Sequence, residues 1–574
     1  MSQGPVGDSD VRSVKDVMLK RNLPWEAALL AGLVAAMYLT RLAAVPFRGE
    51  ETRWARVAWE MRETGDYVVP RQQGEVFPDR PPLNSWCMLL ASTVTGDLDR
   101  QAVRLPAALA TLLTALLLFA YCRQFVTRWG AFSAGLVYAT FPQILQLGRF
   151  AESDALFTFL VTASLLAWHA GYTRRWPHGR TWVAGYVLAA LAGLAKGPQG
   201  PVYFAASVTA YLALKRDWRY LFSLSHAAGL LAFAVVLGAW QVPFSLATGS
   251  QATAAVWSEE GTLGQRIAGM FGPAWWRHLA TYPAEVLLYL LPWSVFLFWY
   301  LRPISRRSLA AIWPQVGFLW VCLAVALPSC WLVTETRPRH VMSLYPGLAC
   351  LIAAAIDRSC FDPPTAQWDR GFRWFLVAMA AVSAFVGGLM VIAGLYPVAP
   401  WIAVLLPPSC STAGCGLAIL ALAAICVWAW RGSGPMRAAA GITAVVAVLG
   451  GSFGVVGIDH LARIADDLES QVARLKADVV RGERLVSFGP LFHKFTFYYQ
   501  DPIAIVPWPE ADFTVDPPWL YFCFMAYQEG IHGKLPFAWE KVALLYCDRA
   551  REKGVNNVCV GRRTGGIPES AAPP

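Results

Sequence analysis

From residue 26 onward the chain alternates apolar blocks of about 15 to 23 residues with short loops rich in Arg, Pro and Gly. Blocks of that length each cross a hydrocarbon core of about 30 Å, so the pattern predicts a polytopic all-α membrane protein. The predicted spans are 26–44, 105–121, 130–147, 155–171, 182–195, 202–214, 225–246, 284–301, 311–332, 341–356, 372–395, 414–430 and 436–456, which makes about thirteen. Two of them, 182–195 and 202–214, fall short of the roughly 20 residues a full crossing needs, so tilted caps or half-membrane helices around Lys196 fit equally well.

After residue 456 the pattern changes. Residues 459–476 are charged, with Leu461, Ile464, Leu468, Val472 and Leu475 at helical spacing. Short strand-like runs at 485–488, 495–499 and 503–506 come next, separated by Pro and Gly. The expectation is a transmembrane domain over 1–457 and a small α/β soluble domain over 458–574, its tail loose from Gly565.

Composition narrows the class. Of 574 residues 56% are hydrophobic and 15% charged, well below the roughly 25% charged of soluble domains, which excludes a soluble enzyme or a disordered scaffold. The net charge of +10 lies in loops between apolar blocks without a long basic run, so it sets topology and does not mark a nucleic-acid partner. Arg12, Lys15, Lys20 and Arg21 precede the first span and place the N-terminus in the cytoplasm. The block 82–95 sets the parity of every later loop. If it spans, Arg123 and Arg128 face outward; if it lies in the interface, every later basic cluster falls on the cytoplasmic side and the C-terminal domain is extracytoplasmic. The agreement of all the clusters favours the interfacial placement. The twelve cysteines show no CxxC pair, which argues against a zinc site or a disulfide framework. Cys410 with Cys415, or two of Cys523, Cys547 and Cys559, are the pairs an oxidising compartment would allow.

With that parity, carboxylates and cations collect at outer span ends: Glu50, Glu51, Arg53, Asp79 and Arg80 in the first outer loop, Arg149, Glu152 and Asp154 after the third span, Lys196 between the short pair, and Glu335, Arg337, Arg339 and His340 later. The run from Glu50 to Gly65 reads as an amphipathic surface helix, with acidic residues in its first turn, Trp54, Val57, Ala58 and Met61 on one face, and Gly65 as terminator. A carboxylate can take the proton of an attacking hydroxyl while Arg and Lys stabilise a departing phosphate, which suits sugar transfer from a lipid phosphate. The plainer readings are interfacial anchoring for single arginines, helix capping for Asp154 and a simple helix break at Lys196-Gly197-Pro198. The residue types require no cofactor. A carboxylate pair beside a phosphate has the chemistry to hold a divalent ion, but nothing in the sequence indicates one.

These residues sit in an ordered set of segments: Gly49 to Arg53, Gly65 to Pro70, Gly74 to Trp86 with Asp79-Arg80-Pro81-Pro82-Leu83, Arg104-Leu105-Pro106, Arg149 to Asp154, Leu194 to Pro198, His278, Leu291-Pro292-Trp293, Arg337 to His340 and Leu344-Tyr345-Pro346. The set resembles the bacterial branch of the GT-C-fold polyprenyl-phosphate-sugar glycosyltransferases, the superfamily of protein O-mannosyltransferases and aminoarabinose transferases. The resemblance covers about residues 26–350. It implies juxtamembrane helices in the first outer loop and an inverting transferase in a bacterial inner membrane, moving a sugar from a polyprenyl-phosphate donor to an acceptor hydroxyl or phosphate on a lipid, glycan or protein. It further implies Glu50 as catalytic base, where the family usually has Asp, with Glu51 the alternative, Asp154 as the second essential acid, and Arg53, Arg80, Lys196, Arg337 and Arg339 as ligands of the carrier phosphate. A lipid-linked sugar transporter or flippase and a non-catalytic membrane scaffold are the rival readings.

Overall fold

The computed structural model describes residues 25–257, 271–302, 308–333, 336–363, 368–396, 399, 403, 405–465, 467–509, 519–547 and 556–564. The N-terminal basic cluster, Arg306, Arg307, Glu335 and the tail from Gly565 lie outside them. Among the described residues, eight helices are long and apolar enough to cross a membrane, nine if one bent pair counts as a single span. Their outward faces leave Leu231, Val235, Leu246 and Phe385 exposed, which suits contact with lipid.

The first nine helices among the described residues frame the site. They are α1 (Trp25–Tyr38), α2 (Glu51–Thr64), α3 (Leu83–Thr95), α4 (Arg100–Cys122), α5 (Arg128–Ala139), α6 (Pro142–Leu147), α7 (Asp154–Thr173), α8 (His178–Lys196) and α9 (Gln199–Lys215). A large apolar core joins α1 and α4 to α9 with the later helix Tyr345–Ile356. Between α2 and α3 lies a hairpin of β1 (Arg71–Gln72) and β2 (Glu75–Val76). Its turn is held by the Glu60 carboxylate, which accepts from the backbone N–H of Gln73 at 2.7 Å and of Gly74 at 3.1 Å.

Several expected elements change shape. The predicted span 130–147 divides into α5 and α6, because Pro142 supplies no backbone N–H to carry the helix through. The short pair lengthens to 19 and 17 residues in α8 and α9. At 1.5 Å per residue these are about 25–28 Å long, close to a full hydrocarbon core and longer than half-membrane helices. The block 284–301 is not one straight helix: Pro273–Leu288 and the 3-10 helix Trp293–Leu301 meet at 115° across Pro292. All twelve cysteines are free thiols, so none of the pairings that an oxidising compartment would allow is made.

Beyond residue 456 helical structure continues through Ile458–Arg463 and Leu468–Arg474. Leu468, Val472 and Leu475 of the predicted stripe are buried, whereas Ile464 is exposed. Next in the chain is a five-stranded mixed sheet, formed by β3 (Leu485–Phe488), β4 (Ala504–Val506), β5 (Tyr521–Met525), β6 (Trp539–Tyr546) and β7 (Asn557–Arg563), in the order β4-β3-β5-β7-β6. Strand β3 is parallel to β4 and β5, and β7 is antiparallel to β5 and β6. Alternation along β5 sends Tyr521, Cys523 and Met525 to one apolar layer and Phe522 and Phe524 to the other.

The expected strand at 495–499 is instead part of a helix, His493–Tyr499. Its aromatic residues serve two surfaces. Phe495 and Tyr499, one turn apart, stack at 5.8 Å within the sheet's core, while Phe497 meets Phe47 edge-on at 5.1 Å. A helix can present residues to both surfaces at this spacing. It packs on α2, so the surface helix predicted in the first loop is covered on one side by the C-terminal region.

Candidate functional site

Glu50 is delivered by a tight turn. Gly49 has φ +53, and a Cβ built there would lie 3.2 Å from Glu152 Oε1, so conformation and space both favour glycine. Glu50 then occupies the N-cap of α2, and α2 ends at Gly65 in the left-handed conformation, as the sequence predicts. The Glu50 carboxylate is partly exposed, with Oε2 lying 2.8 Å from Arg53 Nε one turn along the helix. Arg53 also reaches Asp79 at 3.4 Å.

Glu51, one residue on, has a different environment. Its side chain is 1% exposed and takes Arg104 in a two-point pair, Nε to Oε1 at 2.7 Å and Nη2 to Oε2 at 2.8 Å. It also accepts from the backbone N–H of Ala151 at 2.9 Å and of Arg48 at 2.8 Å. Arg104 in turn donates to the carbonyls of Leu42, Val45 and Pro46. Both carboxylate oxygens of Glu51 are thus engaged in holding α2 and α4 to the loops around them, whereas Glu50 is partly exposed.

Asp154 is the first residue of α7, Lys196 the last of α8, and their side chains form a buried ion pair. Each charge sits where the helix dipole favours it, the carboxylate at an N-terminus and the ammonium at a C-terminus. Gly197, at φ +105, breaks α8 there and Pro198 leads into α9. Arg80 joins this group by donating to the Lys196 carbonyl at 2.8 Å. A crevice beside Arg80 is lined by Trp54, Phe77, Pro82, Ser153 and Ala195.

Arg339 donates to Glu152 Oε2 at 3.0 Å. Glu152 lies in the loop before α7, where burial, and next the charge of Asp154, push its pKa up to about 7 against the pull of Arg339. Arg337 is different: it is exposed, and its backbone carbonyl accepts from the Tyr282 hydroxyl at 3.3 Å. Of the eight residues predicted for the site, the structure groups Glu50 with Arg53, and Asp154 with Lys196 and Arg80. Arg339 reaches the Asp154 loop through Glu152, while Glu51 and Arg337 stand apart from these pairings.

Two neighbours of these groups were not predicted as site residues. Glu152 lies between Gly49 and Arg339, a position only the turn geometry reveals. His493 comes from the C-terminal region: its Nδ1 is 2.7 Å from the Thr52 hydroxyl and its Nε2 is 3.7 Å from Glu50 Oε2. Nothing in the aromatic run His493 to Tyr499 signals that encounter. Chemically, the arrangement offers a half-exposed carboxylate, a second buried acid, and cations whose present partners are carboxylates or carbonyls that an incoming phosphate could displace.

Residues 79–240 match the family described as dolichyl-phosphate-mannose-protein mannosyltransferase. The chain is 27% identical over 411 residues to an undecaprenyl phosphate-alpha-4-amino-4-deoxy-L-arabinose arabinosyl transferase of Edwardsiella ictaluri, covering 70% of this chain and 71% of that one. A Pseudomonas aeruginosa protein of the same name is 28% identical over 321 residues, with 54% of this chain and 55% of that one covered. Among solved structures, ArnT from Cupriavidus metallidurans bound to undecaprenyl phosphate superposes with a TM-score of 0.69 at 17% identity, covering 93% of this chain and 97% of that one. That degree of overlap over nearly the whole of both chains establishes a shared fold.

Proposed function

We propose that this chain, a membrane glycosyltransferase of the GT-C fold, transfers a sugar with inversion from a polyprenyl-phosphate carrier to an acceptor hydroxyl at the outer face of a bacterial inner membrane. In this reading, the acceptor oxygen attacks the sugar's anomeric carbon as the bond from that carbon to the phosphate oxygen breaks. Glu50 takes the hydroxyl proton, and the carrier leaves as polyprenyl phosphate. Arg53, Arg80, Lys196 and Arg339 stabilise the charge that develops on the phosphate, and Asp154 orients Lys196 and the incoming groups. Arg337, exposed and outside these pairings, is the weakest of the phosphate ligands.

The observation that carries the proposal is the pairing of Asp154 with Lys196 at the junction where Arg80 also arrives, three residues separated widely in sequence, the first two at helix ends. The similarity to arabinosyl transferases supports an undecaprenyl-phosphate donor. Four shorter helical segments, α1, α5 with α6, α8 and α9, would raise the nine spans to thirteen and place the C-terminal sheet, here assigned to a domain from residue 458, on the outer side with the site.

The test is transfer by the purified full chain in lipid nanodiscs, with undecaprenyl-phosphate-linked aminoarabinose and mannose as donors and a bacterial membrane extract as acceptor. The wild type is expected to release undecaprenyl phosphate from one of them. Glu50→Gln and Asp154→Asn are expected to lower that rate by about 10²–10⁴-fold, the usual contribution of a positioned acid or base. Equal rates for all three proteins would reject the assignment.

A further inference from the structure

His493 opens its helix with a side chain that is 5% exposed, wedged between the C-terminal region and the first turn of α2. Burial, reinforced by Arg53 and Lys494, pushes its pKa down to about 3, so the ring is neutral and carries one N–H. Its two nitrogens face different groups on α2. Nδ1 is in hydrogen-bond contact with the Thr52 hydroxyl at 2.7 Å, and Nε2 looks toward Glu50 Oε2 at 3.7 Å. Nε2 is buried without a hydrogen-bond partner among the described residues.

The tautomer can be read from these surroundings. If the ring proton were on Nδ1, Nε2 would present a lone pair to a carboxylate oxygen, and both are acceptors. With the Thr52 hydroxyl donating to Nδ1, the proton sits on Nε2 and points at Glu50. A shift of under 1 Å by either side chain would close a normal hydrogen bond of about 2.9 Å.

We propose that His493 is a positioning residue for Glu50: through its Thr52-oriented imidazole it holds one carboxylate oxygen and leaves the other to face the acceptor hydroxyl. Among the described residues Glu50 otherwise has only Arg53 to orient it, and in the proposed mechanism Arg53 serves the phosphate. The C-terminal region thereby completes the transfer site. This inference rests on the reading of Glu50 as the base.

The experiment uses the full chain in nanodiscs and whichever of the two undecaprenyl-phosphate sugars the wild type consumes, with undecaprenyl phosphate alone as the binding probe. His493→Ala is expected to lower kcat at least 10-fold while the donor KM and the Kd for undecaprenyl phosphate stay within twofold. His493→Gln, which keeps an N–H near the Nε2 position, is expected to recover at least a third of the wild-type kcat. In a Glu50→Gln background, His493→Ala is expected to cost nothing further. Loss of donor binding with kcat intact, no recovery in His493→Gln, or a full additional loss on top of Glu50→Gln would each overturn the proposal. Two results separate its failure from that of the base assignment. An inactive Glu50→Gln with an unimpaired His493→Ala removes the role of His493 alone, whereas a fully active Glu50→Gln removes the base and this inference with it.

Discussion

The ammonium of Lys196 and the carboxylate of Asp154 meet where the C-terminus of α8 faces the N-terminus of α7. In the proposed mechanism a donor phosphate and Asp154 compete for the same cation. Asp154→Asn is expected to leave the affinity for undecaprenyl phosphate unchanged or several-fold tighter while turnover falls by about 100-fold or more. Lys196→Met is expected to weaken both. Equilibrium binding and transfer rate, measured on the same preparations, separate the two effects.

Glu50 and Glu51 are adjacent carboxylates whose removal should look different. Glu51→Gln breaks a buried two-point pair and leaves Arg104 uncompensated, so a loss of about 3–5 kcal/mol in stability is expected. Glu50→Gln, at a partly exposed position, should lower transfer by about 10²–10⁴-fold with little change in unfolding temperature. Thermal unfolding beside the transfer assay checks the pair.

Glu152 makes stability depend on pH near neutrality. Its pKa is raised in the folded protein to about 7, so between the ordinary carboxyl range and 7 the native state binds more protons than the unfolded chain. Stability from this group is fully present below the unfolded value and is lost as pH rises through about 7. The unfolding temperature should fall between pH 6 and pH 8, and Glu152→Gln should flatten that slope. An equal slope in the variant would remove Glu152 as its source.

His493 has the opposite sign. Its pKa is depressed to about 3, so an unfolded chain takes up a proton that the native chain refuses as pH drops below about 6.5. Destabilisation between pH 6.5 and 4 is expected, and it should be smaller in His493→Gln. Unfolding temperatures across that range read the difference.

Gly49→Ala places a Cβ at a left-handed backbone position and against Glu152. The backbone strain alone is about 1–2 kcal/mol. Because the turn carries Glu50, transfer should drop by more than the modest fall in stability implies. A variant with the wild-type rate would show that the turn's conformation is not needed.

Much of the architecture is legible in the sequence because its causes are local. Gly65 ends α2 where a left-handed residue is required, and Lys196-Gly197-Pro198 ends α8 for the same kind of reason. The predicted boundaries of 105–121, 155–171 and 372–395 lie within a few residues of observed helices because a long apolar block has no other favourable form in a bilayer. The run 495–499 reads as a strand but folds as a helix, because its alternating aromatic pattern satisfies a half-buried strand as readily as a helix wedged between two surfaces.

By itself the sequence determined which segments are apolar enough to leave water, where their helices break, and that acids and cations accumulate at those breaks, since chain-neighbour sterics and hydrophobicity act within a few residues. Tertiary structure alone decided which charges work together. Glu50 and Glu51 differ by one position, yet a step of about 100° around the helix axis turns one toward Arg104 and leaves the other near Arg53 and His493. Electrostatic pairing depends on distance through space, and His493 stands more than four hundred residues from the carboxylate it faces.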